Sequence, residues 1–216
     1  MIGFGLYWFR RPIGRAFPSA FLLVRNAYRN SIEWAADRGR QIRETFGIGW
    51  DDLRPAGNLR PQDFSADEWN RRKILTLAPA YQSRFTAFFA AAQAIARRHG
   101  REYIIWDAAR PLERQLELYG RGRTEPGLIV TDTIASRHLY GLAIDLAMRS
   151  PSGGYDSELP PWHQTEVLPL AAQYGLVSLL LTAGIDPPHI EVPESEWPAS
   201  VAQAVAQVRN DFPGLA

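Results

Sequence analysis

Two rhythms of apolar and polar positions divide the second half of the chain into elements. From Ser83 to His99 the residues Phe85, Phe88, Phe89, Ala92, Ile95 and Ala96 recur at helical spacing, and Gly100 follows as a stop. A helix is predicted there. Tyr103 to Trp106 is a short apolar run that predicts a buried strand, and Pro111, whose fixed φ suits a first helical position, opens a helix through Tyr119. Leu142 to Met148 reads as a strand, Glu166 to Tyr174 as a helix stopped by Gly175, and Leu176 to Leu181 and Ile190 to Val192 as further strands. Ala199 to Val208 predicts a closing helix. Ser65 with Glu68 three residues on forms a capping-box pattern for a short helix. The sum is an α+β domain, a small antiparallel sheet with flanking helices, assigned to residues 73–216. Upstream, an aromatic-rich stretch predicts a helix from about Ala20 to Thr45, and residues 47–66, rich in Gly, Pro and Asp, read as a linker. Residues 1–72 are therefore expected to be a helical N-terminal extension and linker. No internal repeat or low-complexity tract interrupts the pattern.

Composition narrows the chemistry. With 216 residues the chain suffices for one well-buried domain and an appendage. At 46% hydrophobic and 22% charged it is unlike disordered or collagen-like sequences. It has no cysteine, which excludes disulfides, Cys-ligated zinc and a thiol nucleophile, so a metal site must draw on carboxylates and the four histidines. The net charge of +1 hides an asymmetry. Residues 1–43 hold eight arginines against Glu33 and Asp37, a net of +6, leaving −5 for the rest. Such a basic, aromatic arm suits an anionic membrane surface, nucleic acid or an acidic partner, and equally a solvated helical face. No stretch reaches the eighteen or so apolar residues of a membrane span. Phe17 to Val24 is apolar but short, is flanked by Arg15 and Arg25, and lacks a small-x-small cleavage pattern, so it is not read as a signal peptide. The expectation is synthesis in the cytoplasm.

The informative stretch is Ser136-Arg-His-Leu-Tyr-Gly-Leu-Ala-Ile-Asp145. His138 precedes a predicted strand and Asp145, seven positions on, lies within it. Gly141 permits a close turn of backbone between them. Asp145 sits in an otherwise apolar run, and an unpaired buried carboxylate costs several kcal/mol, so a neighbouring cation is the natural remedy. The second stretch is Asp186-Pro-Pro-His189, in which the prolines stiffen a turn that presents both polar side chains. Two histidines and a carboxylate, with a fourth position left to water, are the composition of a catalytic zinc site. A further carboxylate is then required as general base. Asp186 suits that role, although the position also suits a turn-capping Asp, and Glu191, two residues past His189, competes for it. Arg110, between a strand and a helix start, suits a substrate carboxylate or a developing oxyanion; the alternative is an ion pair with Glu113 or Asp107.

Arg110-Pro-x-Glu-Arg-Gln, Gly122-Arg-Thr124, Ser136-x-His-x-x-Gly-x-Ala-x-Asp145 and Asp186-x-Pro-His189 occur in this order. Together they resemble the zinc D-Ala-D-Ala carboxypeptidase (VanY-like) and L-alanyl-D-glutamate endopeptidase family, most nearly its phage endolysin branch, over roughly residues 75–192. The resemblance implies a Hedgehog/DD-peptidase-like fold, Zn2+ held by His138, Asp145 and His189, a catalytic carboxylate at Asp186 and a substrate or transition-state arginine at Arg110. It implies hydrolysis of a peptide bond in the peptidoglycan stem, L-Ala–D-Glu first and D-Ala–D-Ala second. The alternative is a metal-binding structural module without turnover, as in a phage tail. Wall access would come through a lysis pore or with a virion. Residues 1–46 are expected to touch a phage tail or a membrane surface, and no nucleic-acid partner is expected. One departure stands out: family members often carry Trp-Gly-Gly-x-Trp before the last His, where this chain reads LVSLLLTAGI over Leu176 to Ile185.

Overall fold

The computed structural model describes residues 61–150, 154–156, 158–184 and 186–211. The helix expected over Ala20 to Thr45, the basic arm and most of the linker lie outside these residues.

Helix α1 (Ala66–Leu75) starts where Ser65 caps it, its hydroxyl accepting from the Glu68 amide at 3.2 Å. The Glu68 carboxylate pairs forward with Arg72 at 3.0 Å, one turn along the helix. Helix α2 (Gln82–Arg98) buries the predicted stripe of phenylalanines, alanines and Ile95 and ends before Gly100, whose φ of +66° only glycine adopts freely. Next come β1 (Tyr103–Asp107), α3 (Leu112–Gly120), a 3₁₀ turn at Arg137–Tyr140, β2 (Ala143–Arg149) and β3 (Tyr155–Asp156). Then follow β4 (Val177–Ser178), α4 (Leu179–Ala183), β5 (His189–Glu191) and α5 (Ala199–Asp211). The sheet runs β1-β2-β5-β4, with β3 paired to β2, and every pairing is antiparallel.

Strand β2 is central and alternates sharply. Ile144, Leu146 and Met148 face the main core with α2, while Ala147 joins Ile104, Ala66 and Trp69 on the opposite face under α1. The exposed edge of β1 is covered. Trp69 Nε1 donates to the Ile105 carbonyl (2.8 Å), the Asn70 carboxamide accepts from the Ile105 amide (2.7 Å), and the Gln93 carboxamide accepts from the Tyr103 amide (2.7 Å). Side chains of α1 and α2 thus satisfy backbone groups that an edge strand otherwise leaves open to another chain. α1 runs across the boundary expected between residues 72 and 73.

Two predicted elements differ. The helix expected over Glu166–Tyr174 is a π-type turn (His163–Val167) running into a 3₁₀ segment (Leu168–Tyr174). Pro169 has no amide to donate, so the regular ladder cannot pass through it. The strand expected over Leu176–Leu181 stops after Ser178, and its leucines turn into α4. Pro111 caps α3 from the position just before its first turn.

Candidate metal centre

β2 and β5 place the first two groups. Asp145 and His189 are directly paired residues of these strands, and so are Ala143 and Glu191, so Asp145, His189 and Glu191 share one face. His138 arrives from the 3₁₀ turn, which ends at Gly141 with φ +65°. A Cβ on Gly141 would stand 2.6 Å from the Ala78 amide nitrogen, so only glycine lets this turn approach the chain entering α2.

The three side chains converge. His138 Nε2 lies 3.2 Å from Asp145 Oδ1 and 3.3 Å from His189 Nδ1, and His189 Nδ1 lies 3.0 Å from the same Asp145 oxygen. Among the described residues these are the His, Asp and Glu ligand atoms that gather within 4.8 Å of one another. Ligand atoms about 2.0 Å from a tetrahedrally held zinc stand about 3.3 Å apart, close to the spacing seen.

The remaining ring nitrogens fix the tautomers. His138 Nδ1 donates to the Ala108 carbonyl at 2.7 Å, and His189 Nε2 donates to the Glu191 carboxylate at 3.0 Å. The neutral rings therefore both point lone pairs at an ionised carboxylate oxygen, which is repulsive unless a cation joins them. The donor set fits a divalent metal. Without a metal a proton would meet the same need: burial lowers the His189 imidazole, but its hydrogen bonds to the Asp145 and Glu191 carboxylates reverse this and push it up to about 9. Burial raises Asp145, yet His138 and His189 outweigh it and hold the carboxyl well below its ordinary value.

Asp186 stands beside this centre. Its Oδ2 is 3.9 Å from His189 Nδ1, and its backbone has φ +52°, the one left-handed non-glycine residue described. Burial and the neighbouring Asp145 charge raise its carboxyl above the usual range. Arg110 is oriented from two sides: Asp107 receives it at 2.6 Å and the Gln115 carboxamide at 2.5 Å. Its guanidinium reaches Asp145 Oδ2 at 3.8 Å. The β1 register shift between Ile105 and Asp107 turns Asp107 toward it. The ion pair with Asp107 and the approach to the cluster thus coexist.

Several further residues contribute. Glu191, considered as a base, lies behind His189 and also pairs with Arg137 at 3.3 Å, whose guanidinium rests 4.9 Å over the Trp197 ring. Gln115 is fully buried, bridging Arg110 and the Thr133 carbonyl. Lys73 of α1 lies over the Trp69 ring at 5.0 Å; burial lowers it, and Asp107 and Asp145 act in the opposite sense. His163 is fully buried in the π-type turn. Alternation past His189 offered a signal for Glu191, and Gln115 ends the Arg110-Pro-x-Glu-Arg-Gln element; no spacing marked Lys73 or His163.

No family model matches the chain. A peptidoglycan L-alanyl-D-glutamate endopeptidase, CwlK of Bacillus subtilis (strain 168), is 42% identical over 65 residues, which cover 29% of this chain and 39% of that protein. The crystal structure of the Serratia marcescens L-Ala D-Glu endopeptidase ChiX superposes with a TM-score of 0.42 at 20% identity, covering 68% of this chain and 99% of that one. Over those 65 residues the chain is similar to an L-alanyl-D-glutamate endopeptidase, and it spans well under half of that protein's length.

Proposed function

We propose that this protein is a zinc-dependent peptidase that cleaves the L-Ala–D-Glu bond of peptidoglycan stem peptides. The observation that carries the reading is the convergence of His138, Asp145 and His189 with both outer ring nitrogens already engaged. The similarity to a curated endopeptidase supports the substrate. Zinc bound there would polarise the scissile carbonyl and acidify a water molecule. Asp186 takes the proton from the attacking water and returns it to the departing amine, and its raised proton affinity suits both steps. Arg110, held by Asp107 and Gln115, offers a fixed positive charge to the carbonyl oxygen as negative charge develops there. Its orientation is set before substrate arrives, so little reorganisation is required during the reaction. The wall-lytic setting, including a phage source and docking through residues 1–46, belongs to the same proposal.

The test is digestion of purified peptidoglycan with and without a chelator, reading new amino termini by mass spectrometry. A chelator-sensitive D-Glu amino terminus is expected. Released D-Ala would reassign the bond, and no cleavage by zinc-loaded protein would move the reading to a non-catalytic metal-binding module.

A further inference from the structure

The segment that carries Asp186 has an unusual hydrogen-bond pattern. Three successive carbonyls, those of Asp186, Pro187 and Pro188, each accept a hydrogen bond. The Asp186 carbonyl accepts from the His189 amide (3.1 Å), the Pro188 carbonyl from the Leu146 amide of β2 (3.0 Å), and the Pro187 carbonyl from His163 Nε2 (3.0 Å). Two of these donors are backbone groups tied to the sheet. The third is a side chain reaching in from the π-type turn. The two prolines have no amides to donate, so little but the His189 amide holds the segment from within, and Asp186 sits at its strained point with φ +52°.

His163 is itself fixed. Its Nδ1 lies 2.6 Å from the Tyr103 hydroxyl, and the Tyr103 and His163 rings meet edge to face with centroids 5.7 Å apart. Both residues are fully buried. A carbonyl only accepts, so Nε2 carries the hydrogen, Nδ1 is the acceptor and Tyr103 donates. Burial holds the Tyr103 hydroxyl protonated and keeps the His163 ring neutral, in agreement with that arrangement. The chain of bonds therefore runs one way, from β1 through the imidazole to the turn.

We infer that His163, oriented by Tyr103, is a positioning residue that clamps the Pro187 carbonyl and so holds the Asp186 carboxylate in register with the His138–Asp145–His189 centre. The inference rests on the reading of Asp186 as the proton-transfer group. His163 touches neither substrate nor metal; it acts through the backbone of a turn whose two prolines have no amides to donate.

The test compares His163→Phe, which keeps ring volume and loses both bonds, with His163→Gln, which retains an N–H donor, in the zinc-loaded full chain acting on a soluble stem peptide. Supporting interactions of this kind are worth about 10- to 100-fold. His163→Phe is expected to lower kcat by at least about tenfold, with KM and zinc content unchanged, and His163→Gln to recover most of the loss. Ring ¹⁵N shifts should report an Nε2–H tautomer for His163 with or without metal, a readout independent of turnover. Should His163→Phe fold poorly, Tyr103→Phe replaces it, with a smaller fall in kcat expected. Parental kcat in the phenylalanine variants, or an Nδ1–H tautomer, overturns the clamp. Asp186→Asn is run beside them. If Asp186→Asn is inactive while His163→Phe is parental, only the clamp falls; if Asp186→Asn is fully active, the underlying reading of Asp186 falls and takes the clamp with it.

Discussion

The metal centre and the turn beside it are built by opposite means. Asp145 and His189 face each other across a regular antiparallel ladder, so sheet register sets their separation. Asp186, three residues before His189, sits on a strained turn with its side chain half exposed, held from outside by borrowed hydrogen bonds. In the proposed enzyme, two of the three side chains that would hold the ion lie on paired strands, and the group that would exchange protons lies where water reaches it. Damage to the two regions should therefore separate: the first loses metal and rate together, and the second loses rate alone.

The largest effect is expected from His138→Ala. It should abolish both zinc stoichiometry and hydrolysis, a loss on the order of a thousandfold or more, read by metal analysis and stem-peptide turnover. Retained turnover in the folded variant would break the comparison at its base. Asp186→Asn should cost about 10²- to 10⁴-fold in kcat while zinc content stays at the parental level. The parent's rate should also fall as pH drops through a value above 3.8, because burial and the Asp145 charge favour the protonated, inactive base. An unshifted acidic limb would assign proton transfer elsewhere. Glu191→Gln should weaken zinc affinity by about 10- to 100-fold, since it removes the charge behind His189 but leaves all three ligand atoms. Competition with a chromogenic chelator measures this.

The effect per unit is smallest in pH. Bound metal must displace the proton that His189 holds up to about 9, so affinity should rise with pH, about tenfold per unit, and level off above that value. Calorimetry in buffers of different ionisation enthalpy counts the proton released. A flat profile would mean that the site is not protonated in the absence of metal.

The grouping of His138 with Asp145 was legible because its signal is local, whereas His189, 44 positions past Asp145, joined them only through the resemblance. His138 and Asp145 fall seven positions apart around a glycine, and the stripe from Phe85 to Ala96 marks α2 within one residue at each end. The clamp was not readable: His163 meets Tyr103 from 60 positions away and Pro187 from 24, and no periodicity records such meetings. Leu176 to Leu181 misled for a related reason. Its apolar run fits a buried strand or a short helix equally well, and only Val177 and Ser178 find partners on β5.

One earlier detail bears on coordination number. Asp145 offers Oδ1 to the imidazoles while Oδ2 is turned toward Arg110. In the proposed enzyme a carboxylate divided in this way would favour monodentate binding, so that the protein would supply three donor atoms, and Arg110, by drawing off the second oxygen, would help leave a fourth position for water or substrate.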